Sequence, residues 1–147
     1  MKVIVQRSKE ASVTVEKKKV GIIDYGFVLL VAFTHGDDDK TVEKMVDKII
    51  NLRIFSDEND KLNLSLKDVK GSVLSISQFT LYAKLNGRRP SFTDALDYKE
   101  AKRLYAYFND VLSSYDINVQ KGEFGADMKV SLINDGPVTI IIDSNDF

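Results

Sequence analysis

The chain has 147 residues, 44% of them hydrophobic and 29% charged, with a formal net charge of −1. This predicts one domain, residues 1–147, with a substantial core, and excludes a generic polyanion binder, because any nucleic-acid contact must come from a local basic patch. Cysteine is absent and histidine occurs once, at His35, which excludes disulfides, thiol nucleophiles, Cys-ligated zinc and multi-histidine metal sites.

From the N-terminus, Val3 and Val5, then Ala11, Val13 and Val15, then Val20 and Ile22 recur at every second position, the spacing of half-buried strands. Lys17-Lys18-Lys19 reads as a hairpin turn and Asp24-Tyr25-Gly26 as a second turn. Phe27 to Phe33 is apolar throughout, as in a central strand covered on both faces. It is far shorter than the roughly 18 residues of a membrane span. Met1-Lys2-Val3-Ile4-Val5-Gln6-Arg7 has no signal-peptide pattern, so the expected compartment is the cytoplasm. His35 follows the apolar strand and is expected to serve a loop. Asp37-Asp38-Asp39 offers an N-cap and first-turn acids to a helix whose Val42, Met45, Val46, Ile49 and Ile50 share one face.

Asp57-Glu58-Asn59-Asp60 reads as a loop, and Ser72 to Ser77 as a strand delivering Gln78. A second helix is predicted from about Asp97 to Ser113, capped through Asp97 and Glu100, with Ala101, Leu104, Tyr105, Phe108, Val111 and Leu112 turned inward. Lys129 to Ile133 and Val138 to Asp143 read as two closing strands. The pattern is that of an α/β (α+β) fold, mostly antiparallel sheet with two main helices packed on it. Three basic clusters stand out: Lys84 with Arg88 and Arg89, Lys99 with Lys102 and Arg103, and Lys17-Lys18-Lys19.

Read locally, Ser77-Gln78-Phe79-Thr80-Leu81 is a strand end whose Phe79 enters the core, and Gly136-Pro137 is a trans turn opening a strand. Taken whole, that first string and Asn134-Asp135-Gly136-Pro137-Val138-Thr139 resemble the two signature motifs of the D-aminoacyl-tRNA deacylases. Arg89-Pro90-Ser91-Phe92 and Phe124-Gly125-Ala126-Asp127-Met128 extend the likeness along the chain.

The resemblance implies a barrel-like sheet fold and hydrolysis of D-aminoacyl-tRNA, with glycine as a further substrate. It implies a homodimer without cofactor, metal or membrane. Ser77, Gln78, Phe79 and Thr80 would form the floor of the catalytic site. Gly136 and Pro137, joined by a cis bond, would enter the partner's site and reject L-amino acids by main-chain clash, a selectivity built on repulsion. Arg7 is either a surface charge on a strand or, as in the family, the support of that inserted turn. Phe124 and Met128 would line the pocket of the terminal adenosine, although core packing suits Met128 equally. Arg88 and Arg89 would meet acceptor-end phosphates.

Thr80 is the obvious side-chain nucleophile, yet no base is assigned to activate its hydroxyl. Catalysis by positioning, by backbone N–H groups near Phe79 and by the substrate's own 2′-hydroxyl is the more economical expectation. Two other readings fit the same motifs: a paralogous deacylase of mischarged L-aminoacyl-tRNA, and a non-catalytic tRNA- or nucleotide-binding module.

Overall fold

The computed structural model describes all residues from Met1 to Phe147. The period-two N-terminal segment forms β1 (Lys2–Val15), which turns through Glu16 and Lys17 into β2 (Lys18–Ile23). Both turn residues have positive φ, 48° and 67°, the mirror-image geometry that suits a two-residue hairpin. The apolar run forms β3 (Gly26–Ala32), followed by α1 (Asp39–Asn51), the short β4 (Phe55–Ser56) and β5 (Leu62–Leu64), and β6 (Ser72–Ser77). A 3-10 turn over Phe79–Tyr82 leads to α2 (Tyr98–Ser113), then β7 (Val119–Lys121) and β8 (Lys129–Asp143).

The main sheet has the order β2-β1-β3-β6-β7, with β8 running antiparallel along the other edge of β1. Lys2 to Ser8 of β1 pair with β3, and Ala11 to Val15 pair with β2. Pairing is antiparallel except for β3 with β6 and β6 with β7, so the sheet is mixed while remaining mostly antiparallel. The two parallel pairs follow from the crossovers, since α1 carries the chain from β3 towards β6 and α2 from β6 to β7.

Alternation along each strand divides the interior in two. Phe27, Leu29 and Val31 of β3 meet the helices, while Val28 faces the concave side of the curled sheet with Leu74, Ile76, Val13 and Ile23. Val42, Met45, Val46, Ile49 and Ile50 of α1 are all fully buried, each contributing about 1.5–3 kcal/mol of burial free energy. In α2, Ala101, Leu104, Tyr105, Phe108 and Leu112 are buried as the spacing predicts, and Asn109 joins them. Asp38 and Asp97 cap the two helices, accepting from the Thr41 and Glu100 N–H groups.

Two expectations need correction. Val20 and Ile22 face outward, and the inner positions of β2 are Gly21 and Ile23. Period-two spacing fixes which residues share a face, not which face is inside. Residues 129–143 form one strand rather than two, because β1 pairs with both halves and carries the backbone ladder past the Gly-Pro turn. No helix is long and apolar enough to cross a membrane.

Candidate functional site

The site begins where β6 ends. Val73, Ser75 and Ser77 point to the helix side, so β6 delivers Ser77 beside Ala101 of α2. The Gln78 N–H donates to the Val31 carbonyl at 2.7 Å, extending the β3–β6 pairing by one step before the chain turns. Leu81 N–H closes the turn onto the Gln78 carbonyl at 3.2 Å. In such a turn the first N–H groups, those of Phe79 and Thr80, have no acceptor within the helix itself. The Gln78 amide donates to the Thr80 hydroxyl, tying the two polar side chains together.

Phe79 is 56% exposed, so it is not a core residue as the local reading had it. Its ring stands edge-on to Phe92, centroids 5.0 Å apart, and the pair walls a cavity of about 400 Å³. Ser77, Ala95, Leu96, Tyr98, Ala101, Phe124 and Gly125 complete the lining. The cavity is apolar, contains no Asp, Glu, Lys or His, and is open to solvent at the Phe79 rim. A groove of similar size at the opposite end of β6 is lined by Lys67, Lys70, Asp116 and Asn118 among others, and holds none of the motif residues.

Aromatic contacts set the depth of the cavity. Phe124 packs edge-on against Tyr98 at 5.1 Å and tilted against Tyr105 at 5.6 Å. Tyr105 is anchored by its hydroxyl, which donates to the Ser75 carbonyl at 2.8 Å, and burial pushes that hydroxyl's pKa above its ordinary value. Gly125 has φ +79°, and a Cβ there would come within 2.8 Å of the Tyr98 hydroxyl, so any other residue would strain the backbone and displace the Tyr98 ring. Met128 is not in this cavity. It packs on the second apolar cluster and against Gly122, because the chain after Phe124 turns back toward β1 and sends Met128 to the concave side of the sheet.

The Gly-Pro element lies elsewhere on the molecule. Gln6 pairs with Thr139 and Ser8 with Asn134, so Asp135, Gly136, Pro137 and Val138 stand opposite Arg7 alone. The Gly136-Pro137 bond is cis. Asn134 closes the neck of this bulge, its side chain accepting from Val138 N–H at 2.9 Å and donating to the Thr139 hydroxyl at 2.8 Å. Gly136 has φ +134°, and a Cβ on it would meet Val138 Cγ2 at 2.9 Å and Arg7 Nη2 at 3.0 Å.

Arg7 shares the inward phase of Val3 and Val5 and is only 8% exposed. Its Nε donates to the Asp135 carbonyl and its Nη1 to the Ile54 carbonyl, each at 2.9 Å, with the Asp135 carboxylate 3.7 Å away. The surface-charge reading of Arg7 is thereby excluded. Beside this group, the Tyr25 hydroxyl is pushed above its ordinary pKa, by burial first, with Arg7 opposing and Asp135 reinforcing the shift.

Arg88 and Arg89 sit on an exposed loop whose ends are tied by two hydrogen bonds between Lys84 and Ser91. His35 is exposed and its Nε2 lies 2.9 Å from the Thr93 carbonyl, a loop role as expected. Thr34 assists, its hydroxyl donating to the Asp94 carbonyl at 2.6 Å, so this loop braces the segment that supplies Phe92, Ala95 and Leu96. Those wall residues, with Tyr98, Asn134 and Asp135, received no role from the sequence. Phe92, Asn134 and Asp135 were visible only as members of motif strings, and nothing local marks the others.

The chain is 55% identical over 147 residues to a D-aminoacyl-tRNA deacylase of Fusobacterium nucleatum subsp. nucleatum, covering 99% of this chain and 97% of that one. It is 54% identical over 145 residues to a D-aminoacyl-tRNA deacylase of Bacillus cytotoxicus, covering 98% and 99%. Among solved structures it resembles the c-Myc DNA Unwinding Element Binding Protein, with a TM-score of 0.92, 39% identity and 97% and 98% of the two chains covered. A probable eukaryotic D-amino acid tRNA deacylase shares the fold at a TM-score of 0.83 and 18% identity, over 96% and 97% of the two chains. With residues 4–143 matching its profile, the chain belongs to the D-Tyr-tRNA(Tyr) deacylase family.

Proposed function

We propose that this protein hydrolyses the ester joining a D-amino acid to the 3′ end of tRNA, releasing the free D-amino acid, and that it accepts glycine in the same way. One observation carries the proposal beyond family membership. None of the residues from Asn134 to Thr139 lines the Phe79 cavity of their own chain, yet Arg7 and Asn134 hold that turn in a fixed shape with Gly136 and Pro137 exposed. Such a turn suits insertion into a second copy's cavity, which makes the working unit a two-fold homodimer of one-domain chains in the cytoplasm. Ile133 and Ile141, 55% and 69% exposed on β8 at either side of the turn, are the kind of apolar surface that an interface covers.

In this reading Gly136 and Pro137 present main chain where an L side chain would have to pass, and a D side chain escapes into open space. Selection by exclusion predicts little preference among D side chains, and glycine has nothing to clash. Ser77, Gln78, Phe79 and Thr80 shape the floor, with Gln78 holding Thr80 by its amide. The backbone N–H groups at Phe79 stabilise the oxyanion as water attacks the ester carbonyl. A donor of this kind contributes about 2.7–4 kcal/mol. Because the cavity is lined by no Asp, Glu, Lys or His that could act as a base, the neighbouring 2′-hydroxyl of the terminal ribose takes the proton-transfer role. Phe124 stacks on the terminal adenine, Met128 steadies its loop from behind, and Arg88 and Arg89 meet acceptor-end phosphates.

The test is turnover on charged tRNA. Release of D-tyrosine but not L-tyrosine supports the proposal, release of L-amino acids selects the paralogous activity, and binding without release selects a non-catalytic module. A tRNA ending in 2′-deoxyadenosine should be hydrolysed far more slowly if the ribose hydroxyl takes part.

A further inference from the structure

The three basic clusters of the sequence have different fates in the fold. Lys84 is paired with Asp94 at 2.9 Å. Arg103 is held by Asp39 at 2.9 Å and Glu100 at 2.7 Å, bracing α1 against α2. Lys17 forms the β1–β2 turn, with Lys18 and Lys19 following it on β2. Lys99 and Lys102 remain exposed and pair with no carboxylate.

Their position is specific. Tyr98 and Ala101 line the cavity, and Lys99 and Lys102 each follow one of them by a single residue in the first turns of α2. A step of one residue rotates about 100° around a helix, which sets both lysines on the solvent flank beside the cavity, one turn apart. The acids close by are largely engaged: Asp94 with Lys84, Glu100 with Arg103, Asp127 with Lys129, and Asp97 as the α2 cap. Glu123 is the exposed acid without a partner.

We infer that Lys99 and Lys102 form the docking surface for the duplex acceptor stem of the substrate, gripping its phosphates while the terminal nucleotide enters the cavity. The inference rests on the deacylase reading and adds to it a direction: the stem leaves the cavity along the flank of α2. In a protein of net charge −1, two unpaired cations beside the reactive cavity attract the stem locally. Each phosphate contact adds about 0.7–0.9 to the slope of log affinity against log salt.

The experiment compares charged D-aminoacyl-tRNA with the minimal substrate 3′-O-(D-aminoacyl)adenosine, which has the ester and base but no stem. Wild type, the Lys99→Gln/Lys102→Gln double variant, and a charge-matched control, Lys67→Gln/Lys70→Gln at the opposite end of β6, are assayed across salt concentrations. The expected result is a lower ratio of kcat/KM on tRNA to kcat/KM on the minimal substrate for the first variant only. Its salt slope on tRNA should fall by about 1.4–1.8. An unchanged ratio and slope would overturn the docking surface, as would an equal effect from the control variant. In both cases wild-type turnover of the minimal substrate keeps the deacylase reading intact, whereas a wild type that turns over neither substrate overturns both.

Discussion

Arg7 is the residue on which the shape of the Gly-Pro turn depends most directly, and Arg7→Met isolates its contribution. Methionine keeps much of the apolar stem and removes the guanidinium, which donates to the carbonyls of Ile54 and Asp135 at 2.9 Å each. The Ile54 carbonyl lies in the interior, and leaving it without a donor costs about 1–3 kcal/mol; the partly exposed Asp135 carbonyl recovers water at lower cost. Removing a buried charge from the protein offsets part of this loss. The net destabilisation is about 1–3 kcal/mol, or a fall in Tm of roughly 3–10 °C for a chain of this size. Urea denaturation at constant m-value reads the first quantity. Release of D-tyrosine from charged tRNA, assayed well below the variant's Tm, should fall further than stability explains, because Asp135 and Gly136 lose their anchor. Arg7→Lys should recover part of the stability but not both bonds, as a point charge cannot reproduce the planar fork. A variant within 0.5 kcal/mol of wild type, or one that keeps full activity and discrimination, would refute the assignment of Arg7 as the turn's support.

Gly136→Ala should cost about 1–3 kcal/mol in denaturant unfolding, because alanine disfavours φ +134° and its Cβ would crowd Val138 and the Arg7 fork, and D-amino acid release should fall with it. Thr80→Ala removes only the bond from Gln78, so kcat/KM should drop no more than roughly tenfold, and complete loss of turnover in a folded, tRNA-binding variant would restore the hydroxyl as nucleophile. Alkaline pH should destabilise the fold. Burial raises the pKa of Tyr105 above its ordinary 10.0, so the neutral phenol is favoured when folded; this stability is complete below pH 10 and is lost as pH climbs through the higher folded value. Tyr105→Phe should flatten that alkaline limb in chemical denaturation measured from pH 8 to 11.

Much of the fold was readable because local periodicity and burial agreed. The stripe Val42, Met45, Val46, Ile49 and Ile50 could only be one helix face, and Asp38 and Asp97 marked the helix starts through a bond that each makes within three residues. Arg7 was also within reach, since it continues the inward phase of Val3 and Val5, but an arginine at an inward position is interpretable only when its partners are known. Those partners, the Ile54 and Asp135 carbonyls, lie 47 and 128 residues away.

The division therefore follows range. Composition, spacing and motif strings were enough for β1, β2, β3, β6, the two helices and the family, because each depends on neighbours along the chain or on a string of adjacent residues, whereas the short β4, β5 and β7 and the continuity of β8 came from pairing with other strands. The cavity came from folding: Ser77, Phe92, Tyr98 and Phe124 belong to four separate segments, and only the β3–β6–β7 pairing with α2 packed across it brings their side chains together. The same holds for Met128, which a motif placed beside Phe124 and the sheet sent to its opposite face, because the direction of a side chain in a loop is set by what the loop packs against.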